Sequence, residues 1–231
     1  MPRLDLPADL DLSTDPYRIA SLDPPSWRGR MHMFMVPVAL VAAAVLVAAT
    51  PGVGDRIAAA VYGLTLVNMF ATSALFHRRR WGDVGWWRMR QLDHTAIYLF
   101  IAGSYTAIAG LGLDGWVRVF LLVAAWVGAG VGVLLRWLPF KPPFGMMNTL
   151  FLALGWASVI AMPAIWTQIG PTGAILIWVG GLFYTVGALL LGVRRPNPSQ
   201  RHFGYHEVWH VNVTIAAALQ FVAIATVVAD L

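Results

Sequence analysis

A handful of side chains carry the chemistry this sequence can do. Ser73 and His77 stand four residues apart, as do His206 and His210, so on a helix each pair shares one face. Asp93 and His94 open a further apolar run. At a helical rise of about 1.5 Å per residue, the three positions fall within a few ångströms of one depth. Three imidazoles from two helices beside a carboxylate make a ligand set suited to catalytic zinc, which keeps a fourth position for water. The expected site is Zn2+ held by His77, His206 and His210. Asp93 would orient or deprotonate the water, and Ser73 would hydrogen-bond a ligand, the water or a substrate carbonyl. Ser73 has a plainer alternative, a bond to its own helix backbone. Lone histidines at helix ends are usually interfacial, and His32, His94 and His202 are read that way. The run His206-Glu207-Val208-Trp209-His210 also spells H-E-x-x-H, in which a metalloprotease uses the Glu as general base. Here Glu207 is offset by about 100° around the helix from His206, and the only carboxylate downstream is Asp230 at the far end.

The elements that must position these residues are membrane helices. Of 231 residues, 58% are hydrophobic and 12% charged, against about 25% charged in soluble domains, which excludes a soluble single domain. The absence of cysteine excludes disulfides, thiolate zinc sites, iron–sulfur clusters and a cysteine nucleophile. Seven apolar runs are long enough to span: about Met31–Thr50, Ile57–His77, Asp93–Leu111, Trp116–Leu138, Met147–Trp166, Ala174–Val193 and His206–Val228. Turn-like breaks separate them, among them Arg78 to Arg90 and Pro139 to Pro143. Residues 1–30 read as a mostly irregular aqueous tail with no cleavable signal peptide, and 31–231 as the seven-helix domain.

The net charge of +5 would suggest nucleic acid in a soluble protein, but topology accounts for it here. Fourteen of the 16 Lys and Arg fall on one side of such a chain. They are Arg3, Arg18, Arg28 and Arg30, then Arg78 to Arg90, Arg136, Lys141, Arg194, Arg195 and Arg201, leaving only Arg56 and Arg118 opposite. The fold class expected is therefore an all-α integral membrane protein with seven transmembrane helices, N-terminus cytoplasmic and C-terminus extracytoplasmic. Trp81, Trp86, Trp87 and Trp137, with Trp116 and Trp166 at the other side, read as interfacial anchors, and Arg78-Arg79-Arg80 as a cytoplasmic anchor. Gly128 and Gly132 have the small-xxx-small spacing of close helix packing.

These residues together resemble the hemolysin III family, the bacterial branch of the superfamily that includes adiponectin and progestin-type receptors. Arg28-Gly29 followed by His32 is similar to the family's entry motif, and Ser73-Ala74-Leu75-Phe76-His77 to its S-x-x-x-H motif. Asp93-His94 to Tyr105-Thr106 is similar to its third-helix motif, and His206 to His210 to its final H-x-x-x-H. The resemblance implies a seven-helix fold in the bacterial inner (plasma) membrane, zinc held by the three histidines, and a water contacted by Asp93. It also implies kinship with alkaline ceramidases, which hydrolyse lipid amides. Arg30 and Ala107 stand where the family usually has Trp and Pro. The function expected is zinc-dependent hydrolysis of lipid amide or ester bonds at the cytoplasmic leaflet, with a membrane lipid or fatty-acyl compound as partner and no nucleic acid. The alternatives are a receptor-like or membrane-homeostasis protein with structural zinc, then a pore-forming hemolysin, then an intramembrane metalloprotease.

Overall fold

The computed structural model describes residues 12, 13, 15, 18, 19, 21–138 and 145–231. Arg3, Lys141 and the break at Pro139 to Pro143 lie outside them. Long apolar runs in a medium without water must satisfy their own backbone groups, and helices do so within each segment. They form α1 (Arg30–Ala49), α2 (Val53–Arg78), α3 (Asp83–Gly112), α4 (Gly115–Trp137), α5 (Met146–Gly155), α6 (Met162–Ala164), α7 (Pro171–Val193) and α8 (Tyr205–Ala229). Among the described residues no strand forms; the one β-type feature is an isolated bridge, Ser199 to Phe203. Six helices are long and apolar enough to cross a bilayer. Asn148–Val159 and Met162–Ile169, bent by 53° at a short break, make up to seven if the pair is one span.

Sequence neighbours pack on one another from α1 to α4, α7 packs on α8, and α8 returns to α1 and α3. α3 is the most deeply buried helix, and α1 the most exposed, facing where lipid would be. The small residues work as expected: a Cβ at Gly128 would collide with Leu154, and one at Gly132 with the Tyr98 ring. The bend near Ser158 has its own support from α3. The Tyr105 hydroxyl donates to the carbonyls of Leu154 and Gly155 (3.1 and 2.6 Å) and accepts the Ser158 N–H at 2.8 Å. Backbone groups released by the broken helix are thereby paired away from water.

Three expectations change. The break after α2 is only Arg79 to Gly82, because α3 begins at Asp83 rather than Asp93. Its first turns are amphipathic, with Arg88 and Arg90 interleaved among Trp86, Met89 and Gln91, which are buried, so an apolar-run criterion passes over them. Trp86 is consequently an interior residue, packed on Phe76 and covered by the Arg18 and Arg90 guanidinium groups, rather than an interfacial anchor. By contrast Trp116, Trp137 and Trp166 are exposed as anchors should be. The described part of the N-terminal tail is not free either. Asp15 pairs with Arg90 at 2.9 Å and Arg18 with Asp83 at 2.7 Å, while Ser26 and Trp27 donate their N–H groups to the carbonyls of Arg201 and His202. Opposite charges on the tail and on the helix ends hold it across one end of the bundle.

Candidate metal centre

The last turn of α2 carries His77 and the first turns of α8 carry His206 and His210. One ring nitrogen from each lies within 4.8 Å of the other two. The Nε2 atoms of His77 and His206 are 3.2 Å apart. Two imidazoles sharing a tetrahedral zinc with Zn–N of about 2.0–2.1 Å would hold their nitrogens about 3.3 Å apart, so this pair already fits a common ion. The rings of His77 and His206 and of His206 and His210 both stand at 4.7 Å, tilted by 71° and 74°, as rings converging on a point from different directions do. The donor set, three imidazoles without thiolate, suits the divalent ions that favour nitrogen ligands, zinc, copper, iron and nickel.

The surrounding residues fix these ligands. Gly29, just before α1, adopts φ +74°, and a Cβ there would come within 2.7 Å of the His77 Cβ. Only a residue without a side chain can pass so close in that conformation. Beside it the Arg28 guanidinium donates to Glu207 Oε1, a buried ion pair, and Glu207 Oε2 accepts the Gly204 N–H at 2.7 Å. That second bond is the reach-back half of a capping box, closing an orphan donor at the start of α8. Both oxygens of Glu207 are therefore engaged in holding the tail and capping the helix, which leaves the protease-type general base of H-E-x-x-H without its carboxylate.

Ser73 and Asp93 are buried together. Ser73 hydrogen-bonds His32 Nδ1 at 2.9 Å and is the side-chain partner of the Asp93 carboxyl. The alternative bond from Ser73 to its own backbone is not formed. A carboxylate only accepts, so with Asp93 ionised Ser73 donates to it and accepts from His32 Nδ1–H. Asp93 itself is not among the groups at ligand distance; its link to the histidines runs through Ser73 and His32. His32 corrects the interfacial reading: it is 2% exposed, its ring stacked on His210 at 3.9 Å and edge-on to Phe70 at 5.1 Å. A lone histidine in an apolar run gives no period to read, and only its place four residues after Arg28 pointed to it. His94 is partly buried with its ring against Phe151, and its Nδ1 is buried. His202 stays at the exposed end, paired with Ser26, as expected.

Residues 21–221 match the protein family described as Haemolysin-III related. The chain belongs to that family. It is 27% identical over 171 residues to the Hemolysin-3 homolog of Bacillus subtilis (strain 168), covering 72% of this chain and 75% of that protein. It is 30% identical over 167 residues to Hemolysin-3 of Bacillus cereus, covering 71% and 72%. A more distant likeness, 25% over 202 residues, covers 84% of this chain and 79% of the human Monocyte to macrophage differentiation factor. The matched stretch includes every residue of the candidate metal centre, and family membership makes this a multi-pass membrane protein in contact with lipid.

Proposed function

We propose that this haemolysin-III related protein is a zinc-dependent hydrolase of lipid amide or ester bonds, with the end of the bundle that carries the histidines facing the cytoplasm. The observation that carries the reading is a three-imidazole ligand set linked, through the His32 ring and its bond to Ser73, to the buried Asp93 carboxyl. Zinc, when bound by His77, His206 and His210, supplies Lewis acidity toward a carbonyl oxygen and makes water a stronger acid. Asp93 receives the proton of the attacking water and returns it to the leaving amine or alcohol. Ser73, bonded to Asp93, aims that carboxyl, and His32 Nδ1–H holds Ser73 in turn. Gathering of Arg18, Arg28, Arg90, Arg136 and Arg201 near this end supports the cytoplasmic placement.

The test is turnover of a panel of acyl-amide and acyl-ester lipids by the purified protein with zinc supplied and with chelator. Zinc-dependent release of fatty acid, abolished in Asp93→Asn, is the expected result; no zinc-dependent release from any lipid of the panel overturns the proposal. A structural zinc is the second reading, favoured by one observation: the histidines join α2 to α8, which otherwise both pack against α1 between them. On that reading Asp93→Asn leaves function intact while His77→Ala lowers folded yield.

A further inference from the structure

Away from the histidines, buried polar atoms on three helices lack any hydrogen-bond partner: the Tyr62 hydroxyl on α2, the Tyr184 hydroxyl on α7 and Oε1 of Gln220 on α8. The packing brings them to one region. The two phenols are close enough to interact electrostatically. Tyr184 stands one turn beyond Gly180 on α7, and a Cβ at Gly180 would lie 3.4 Å from the Gln220 Cγ. Phe221, next to Gln220, has its ring 6.4 Å from that of Tyr62, and the Phe100 ring is 6.1 Å from it. Tyr62 is fifteen residues before His77 on α2, a rise of about 22 Å, and Gln220 is ten after His210 on α8, about 15 Å. The cluster is thus deep in the span and separate from the metal centre.

A polar atom in hydrocarbon without a partner is costly, so three gathered in one region of the bundle point to a partner outside the chain. Their chemistry describes it. Two O–H donors and one carbonyl acceptor are the complement of a single hydroxyl group, whose oxygen accepts two hydrogen bonds and whose hydrogen makes one. An ether, ketone or carboxylate would leave Gln220 Oε1 unpaired. The aromatic rings around the cluster suit an apolar chain on that hydroxyl. We propose that Tyr62, Tyr184 and Gln220 form a binding site for the hydroxyl of an aliphatic alcohol dissolved in the bilayer. This site stands independently of any reaction at the histidines.

The experiment uses the whole protein in lipid nanodiscs with 1-dodecanol carrying a terminal photoreactive diazirine, and the corresponding methyl ether as control. Saturable labelling of α7 or α8 peptides by the alcohol, competed by plain 1-dodecanol, is expected. The half-saturation concentration should rise about tenfold or more in Tyr62→Phe/Tyr184→Phe, since both hydrogen bonds donated to the alcohol oxygen are lost, and should not move in His210→Ala. 1-Dodecanol should also raise the melting temperature of the wild type and leave that of the double variant unchanged. If the double variant does not fold, Gln220→Leu takes its place with the same expectation. Equal labelling by the methyl ether would mean apolar partitioning, and no labelling would mean that ordered water alone fills the cluster; either result overturns the proposal, as does an unchanged half-saturation in the variants.

Discussion

At the scale of single residues, the sequence marks His77, His206 and His210 as a candidate ligand set, and the fold adds the geometry, one ring nitrogen of each within 4.8 Å of the others. Replacing any one removes a third of the ligand set, so metal content measured by mass spectrometry should fall from one zinc per wild-type chain to near zero in each Ala variant. Retention of stoichiometric zinc by any of the three would remove that residue from the site. Their i, i+4 spacing made the pair on α8 legible, because the helical period turns spacing into a shared face. His32 was illegible for the opposite reason: what places it is stacking on His210 and a bond to Ser73, both contacts across helices. Gly29 belongs with it. Alanine there meets the His77 Cβ and must hold φ +74°, so Gly29→Ala should cost about 1–3 kcal/mol and weaken zinc retention, read by thermal melting with and without zinc.

At the scale of helices, span positions were legible because a bilayer imposes a minimum apolar length, and six of the runs match long helices. The start of α3 was not, since its first turns are stabilised by covering rather than by apolar length: Trp86 is sealed by Arg18 and Arg90. The break in the fifth span has one sign in its own run, Pro163 at the start of the helix that follows it, which has no N–H to continue the ladder. Its other support, Tyr105, lies on another helix and could not be read from the run. Tyr105→Phe keeps the ring and leaves two carbonyls and the Ser158 N–H without this partner. A loss of about 1–3 kcal/mol is expected, with faster hydrogen exchange confined to 156–160; unchanged exchange there would show that the bend supports itself. Arg28 and Glu207 make a second element-level prediction. Breaking a buried pair from one side strands a charge, so Arg28→Met alone should cost about 3–5 kcal/mol, whereas Arg28→Met/Glu207→Leu should recover much of it. A double variant no more stable than the single one would mean that Glu207 contributes mainly by capping α8.

At the scale of the whole molecule, the same end of the bundle collects the tail, the α2–α3 turn, the α7–α8 connection and the three histidines. The tail is held there by ion pairs and two backbone bonds, while α2 and α8 meet through their histidines rather than through extensive packing. An ion that binds only the folded arrangement stabilises it by mass action, about 4 kcal/mol at a thousandfold excess over its Kd. Because the ligands sit on two helices separated by α1, that stabilisation should be local in its effect. Chelation should lower the melting temperature of the wild type and not that of His210→Ala. It should also speed hydrogen exchange at the histidine-bearing ends of α2 and α8 and in 26–29, leaving α4 and α7 unchanged. If exchange instead rises evenly through all helices, the bundle depends on the metal as a whole and the zinc is a global clamp. If it rises nowhere while turnover stops, the helices hold the site unaided and the metal is there for chemistry alone.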